Sequence, residues 1–135
     1  MDKPLLNLAK SLIEIKSLSP NDEGCFDLIE EYLDELNFKT QRINYLNIEN
    51  LYSTYGTKGP LFCFLGHTDV VPSGPEDLWE VNPFKPEIIN NHLIGRGAAD
   101  MKGAVATFLI AVKEFLNENP NPSFRICVFL NSNEE

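Results

Sequence analysis

Two apolar runs constrain this chain more than any other feature: Leu61-Phe62-Cys63-Phe64-Leu65 and residues 124–130, the latter broken only by Arg125. Continuous apolar runs of this length read as strands buried on both faces. Each run gives way at once to polar chemistry. The first leads into Gly66-His67-Thr68-Asp69, the second into Asn131-Ser132-Asn133-Glu134-Glu135. In open α/β sheets, ligands gather at the carboxyl ends of strands. The two runs therefore suggest a fold class and also where its chemistry should lie.

The segments around them have helical spacing. Pro4, well placed in a first turn, opens a pattern of Leu5, Leu8, Leu12, Ile13 and Ile15. Residues 17–22 break it and offer several helix N-caps. A second amphipathic helix is expected over residues 25–36, with Phe26, Ile29, Leu33 and Leu36 on one face. Residues 39–45 and 51–55 read as strands, the latter closed by Gly56-Thr57-Lys58-Gly59-Pro60. Asn90-Asn91, between two short apolar pieces, signals a hairpin. After Gly95-Arg96-Gly97-Ala98-Ala99-Asp100 comes a third helix, with Val105, Phe108, Leu109, Val112, Phe115 and Leu116 as its buried stripe. Helices alternating with buried strands give an α/β class with a central mixed, largely parallel sheet flanked by helices.

The chain has 135 residues, 20 acidic and 11 basic, for a formal charge of −9. That length suits one domain. The charge disfavours nucleic acid and anionic membrane surfaces, which attract Lys and Arg. No run approaches the roughly 20 apolar residues that span a bilayer. Met1-Asp2-Lys3-Pro4-Leu5 lacks the basic region that opens a secretory leader. Three cysteines form no C-x-x-C pair, and Cys63 and Cys127 read as buried thiols inside apolar runs. A reducing, cytoplasmic setting fits them better than a disulfide scaffold. The end of the chain directly after a strand reads as the N-terminal part of a longer protein.

Taken singly, the polar positions are ambiguous. His67 and Asp69, two apart on an extended segment, point the same way, so the acid can accept a ring N–H and fix the tautomer. The H-x-D pattern is also common in loops, where it is simply a histidine beside a carboxylate. Asp100 could equally cap the helix that follows it. The glycines around Asp100 form neither a dinucleotide fingerprint nor a phosphate loop, since no G-K-[ST] is present. Glu134 and Glu135 read as a solvated acidic end, or as one metal ligand plus one general base at the sheet's ligand end. His92 reads as an exposed turn histidine, and Trp79 and Phe84 as packing residues of the long loop.

Together the pieces are far more specific. Gly66-His67-Thr68-Asp69-Val70-Val71-Pro72, Gly95-Arg96-Gly97-Ala98-Ala99-Asp100-Met101-Lys102-Gly103 and Asn133-Glu134-Glu135 resemble the motifs of the dinuclear zinc amidohydrolase and exopeptidase family. The resemblance extends over essentially the whole chain, as the N-terminal part of the family's metal-dependent catalytic domain. It implies two zinc ions per complete subunit, with cobalt as a plausible substitute. His67 and Glu135 would each ligate one ion, and Asp100 would bridge both. Asp69 would partner His67, and Glu134 would be the general base. The implied reaction is hydrolysis of an amide in a small N-acyl amino acid, by water activated between the metals. A dipeptidase or a catalytically silent fragment remains an alternative. The family's other two metal ligands, its dimerisation domain and most substrate-carboxylate contacts come from later sequence, and the complete protein is expected to be a homodimer. The resemblance also implies a cis Asp100-Met101 peptide bond. It further requires the two apolar strands to lie nearly parallel in one sheet, with their carboxyl ends close.

Overall fold

A computed structural model describes residues 3–135; Met1 and Asp2, the start of the segment inspected for a leader, lie outside the described residues. The helices fall where the apolar periodicity puts them. Helix α1 (Lys3–Glu14) buries Leu8, Ala9, Leu12 and Ile13. Helix α2 (Cys25–Glu35) buries Phe26, Ile29 and Leu33. Its first turn is capped by Asp22, whose carboxylate accepts the backbone N–H groups of Gly24 (3.1 Å) and Phe26 (2.9 Å). It ends where Asn37, at φ 62, turns the chain toward the sheet. Helix α3 (Lys102–Glu118) buries Val105, Leu109, Val112 and Leu116, with Phe108 and Phe115 partly covered.

Four strands, β1 (Lys39–Arg42), β2 (Asn50–Tyr55), β3 (Leu61–His67) and β6 (Arg125–Asn131), form a mixed sheet in the order β1-β2-β6-β3. The expected parallel neighbours are β3 and β6, in register from Leu61 opposite Arg125 to His67 opposite Asn131. The sheet is mixed as expected but not largely parallel: β1–β2 and β2–β6 pair antiparallel, and among the described residues only β3–β6 is parallel, because β1 and β2 follow one another without a crossover. Strand β1 stops at Arg42, short of Tyr45, because the chain turns back there and Tyr45 bridges to Ile48. Strands β4 (Glu87–Ile89) and β5 (His92–Ile94) form the expected hairpin. Asn90 (φ 49) and Asn91 (φ 66) supply the two left-handed residues of its turn.

All three helices pack into one core with Ile126, Val128 and Leu130 of β6. Phe64 and Phe62 of β3 stack on Phe108 of α3, with centroids 4.3 and 6.3 Å away. The other face of β3 is open, which corrects the expectation of a strand buried on both sides. Leu65 is 66% exposed, and Cys63 is exposed rather than buried. β3 is the last strand in the order, and among the described residues no strand pairs with its outer edge. Cys127, one strand further in, is buried as expected.

Candidate metal centre

Strand pairing builds the site from below. His67 closes β3 opposite Asn131, and the backbone N–H of Thr68 still donates to the Asn131 carbonyl at 3.1 Å. The polar ends of β3 and β6 therefore leave the sheet side by side. Helix α3 begins just beneath them. Its first residue, Lys102, follows the cis Asp100–Met101 peptide, and Met101 at the N-cap makes no side-chain cap. Asp100 thus does not cap the helix, and its carboxylate turns to His67 instead. A side chain at Gly103 would collide with the Ala98 carbonyl, so the close approach that brings Asp100 into place requires glycine there.

The imidazole of His67 is buried, with polar partners on both nitrogens. Nδ1 lies 3.0 Å from the backbone carbonyl of Asp69. A carbonyl only accepts, so in this hydrogen bond Nδ1 carries the proton and Nε2 is left for the other side. Nε2 lies 3.2 Å from Oδ1 of Asp100 and 3.6 Å from Oε2 of Glu134. Donor atoms of His67, Asp100 and Glu135 all fall within 4.8 Å of one another. Strand alternation does not separate the two glutamates, because β6 ends at Asn131.

Asp69 serves differently from the sequence expectation. Its carboxylate is 3.5 Å from Nδ1, beyond a strong hydrogen bond, while its carbonyl holds the ring. The buried carboxylate instead accepts the backbone N–H groups of Glu134 and Glu135, each at 3.2 Å. One residue therefore fixes both the histidine and the glutamate pair.

This donor set suits a divalent cation. The lone pair of Nε2 and an ionised Asp100 would repel unless a proton or a metal stood between them. Two ligands on one tetrahedral zinc, each about 2.0–2.1 Å away, lie about 3.3 Å apart. The observed 3.2 Å matches that spacing. Three carboxylates, from Asp100, Glu134 and Glu135, converge on the Nε2 side of His67. The nearest buried cation, Lys102, is turned away: its Nζ donates to the carbonyls of Leu12 (2.8 Å) and Ile15 (2.6 Å). Burial pushes the Lys102 ammonium below its usual range, against the opposing pull of Cys25, Asp22 and Asp69.

The remaining candidates lie away from the cluster. His92 is exposed at the hairpin turn, its Nδ1 2.9 Å from the Asn90 carbonyl. Trp79 donates its indole N–H to the Ser73 carbonyl and lies under Arg96, and Phe84 lies under Lys16. Trp79 packs the long loop, as the sequence suggested. No helix among the described residues is long and apolar enough to cross a membrane. Sequence reasoning missed five buried residues around the cluster: Ser17, Asp22, Thr68, Lys102 and Ser132. Ser17 and Asp22 stood among the cap candidates before α2, and Thr68 and Lys102 inside the family motifs, but none of the five carried a signal of its place beside the cluster.

A mixed sheet thus brings His67 and Glu135, after β3 and β6, together with Asp100, ahead of α3, in a set that could hold a metal ion. The chain belongs to peptidase family M20/M25/M40, whose family model matches residues 63–135. It is 49% identical over 130 residues to a succinyl-diaminopimelate desuccinylase of Halorhodospira halophila, covering 96% of this chain and 34% of the relative. It is 43% identical over 134 residues to one of Psychromonas ingrahamii, covering 99% of this chain and 36% of the relative. The chain thus spans about a third of the length of these curated relatives. Among solved structures it resembles an M20 family metallo-carboxypeptidase from Sulfolobus solfataricus, with a TM-score of 0.82 at 25% identity. That match covers 96% of this chain and 30% of the other.

Proposed function

We propose that this protein hydrolyses the N-succinyl amide of N-succinyl-LL-2,6-diaminopimelate, releasing succinate and LL-2,6-diaminopimelate, a step toward lysine. The observation that carries the reading is the convergence of His67, Asp100 and Glu135 donor atoms within 4.8 Å. The desuccinylase names of the relatives supply the substrate. In this reading the chain contributes three of five metal ligands, within a cytoplasmic homodimer that uses zinc or cobalt.

His67, Asp100 and Glu135 would hold the metal. When bound, the metal pair polarises the scissile carbonyl and lowers the pKa of water. Glu134, largely exposed beside His67, takes a proton from the attacking water and delivers it to the leaving amine. Asp69 keeps the His67 ring and the Glu134–Glu135 backbone in place while this happens.

The test compares N-succinyl-diaminopimelate, N-acetylornithine and a dipeptide as substrates of the zinc-loaded protein. Succinate release well above acetate or amino-acid release supports the assignment. Preference for N-acetylornithine or the dipeptide would overturn it in favour of a sister deacylase or a peptidase.

A further inference from the structure

Residues 15–22, the greater part of the connector between α1 and α2, reach all three segments that carry the candidate ligands. Beside His67, the Ser17 hydroxyl donates to the Thr68 carbonyl at 2.7 Å, and the Thr68 hydroxyl donates to Asp22 at 3.2 Å. The backbone joins in: the Val70 N–H donates to the Ser17 carbonyl at 2.9 Å, and the Ser19 N–H to the Val70 carbonyl at 3.2 Å. Beside Asp100, Lys102 donates to the Ile15 carbonyl at 2.6 Å. Beside Glu134, the Ser132 hydroxyl donates to the Pro20 carbonyl at 2.9 Å.

The Ser17–Thr68 and Thr68–Asp22 bonds are buried and the Lys102–Ile15 and Ser132–Pro20 bonds part-buried, and the chain concentrates its buried polarity there. Of the eight buried polar or charged residues described, only Ser53 lies elsewhere. The others are His67 and Asp69 of the site itself, and Ser17, Asp22, Thr68, Lys102 and Ser132 around it. Polar groups are costly to bury unless each finds a partner, and a satisfied network is rigid. Sheet pairing registers β3 with β6, but it does not reach Asp100 on the approach to α3. The connector joins that third segment to the other two.

We propose that residues 15–22 are a positioning clamp for the metal centre, gripping it through Thr68, Lys102 and Ser132. The inference rests on His67, Asp100 and Glu135 being metal ligands. A cation site needs its donors held to within about half an ångström. Loosening the clamp therefore weakens metal binding even where the fold survives.

Cobalt(II) chloride is titrated into the 135-residue chain, and binding is followed by paramagnetic broadening of the amide resonances around residues 67, 100 and 135. Thr68→Val removes the bond to Asp22 at nearly constant volume, and Ser132→Ala removes the bond to Pro20 together with the acceptor of the Glu49 N–H. Each should lower cobalt affinity by about tenfold or more, as loss of groups that orient metal ligands does. Thr68→Ser keeps the hydroxyl and should restore the affinity. The dispersion of the amide spectrum reports folding in each variant. Should Thr68→Val fail to fold, Ser132→Ala decides alone. Folded variants that bind cobalt like the unmodified chain would overturn the clamp. His67→Ala separates the two levels: if it binds as well as the unmodified chain, the ligand reading fails. Absence of localised broadening in the unmodified chain would remove the ligand reading, and the clamp with it.

Discussion

Asp69 and Glu134 lie 65 residues apart in sequence, yet the Asp69 carboxylate receives the Glu134 backbone N–H on both oxygens, each at 3.2 Å. The Glu135 N–H donates to the same carboxylate. In Asp69→Asn, one acceptor becomes an NH2 donor facing a backbone N–H. The His67 ring keeps its bond to the residue-69 carbonyl, so the defect should fall on the glutamates. Stability should drop by about 1–3 kcal/mol. Zinc affinity should fall by about 10–100-fold. Calorimetric zinc titration and urea unfolding measure the two effects. Unchanged zinc binding would show that Asp69 does not position the ligand.

The two glutamates should separate in function although they share one backbone anchor. Glu134→Gln keeps the shape but cannot take a proton. The protein should retain its metal and lose turnover by about 10²–10⁴-fold. Glu135→Ala should lower metal content, with activity partly recovered in excess zinc or cobalt. Metal analysis beside steady-state kinetics reads both. Metal loss in the Glu134 variant and retention in the Glu135 variant would reverse the roles.

Much of this arrangement is legible in the sequence, for identifiable reasons. The stripes of α1, α2 and α3 show because helical burial repeats on a fixed spacing. The site motifs show because their residue types and order match a known family. The open face of β3 is hidden, because a continuous apolar run says that a strand can be buried but not which neighbours cover it. The clamp is hidden for a different reason. Ser17, Thr68 and Ser132 are small polar residues with no periodicity, and their clamp bonds span 46 to 112 residues. The sequence treats residues 17–22 as a break between helices, while the structure uses them as a support.

The thiols should differ sharply in reactivity. Cys63 sits exposed on β3, directly opposite buried Cys127 of β6. Burial, reinforced by the neighbouring Cys63, pushes the Cys127 thiol up to about 12. Burial also pushes the Cys25 thiol up. Thiolate is the reactive form. Brief treatment of the folded chain with iodoacetamide should add one adduct, at Cys63, and all three cysteines should react in urea. Intact-mass and peptide mass spectrometry count and locate the adducts. Early modification of Cys127 would contradict the packing of β6.

Asp22 makes stability depend on pH in a direction unusual for a carboxylate. Burial raises its pKa above the ordinary 3.8, against the opposing effects of the Phe26 N–H, the Thr68 hydroxyl, the Gly24 N–H and Arg42. The folded chain therefore holds the Asp22 proton to higher pH than the unfolded chain does. Where the native state binds more protons, stability falls as pH rises. The contribution of Asp22 is thus greatest below 3.8 and declines as pH climbs from there through the raised native value. Asp22→Asn removes the titration while retaining a carbonyl oxygen for the cap of α2. Urea unfolding of both proteins across the acidic range should show the unmodified chain gaining on the variant as pH falls. A stability difference that stays constant with pH would show that Asp22 is not shifted by burial. A difference moving the other way would show that its four partners outweigh the loss of water.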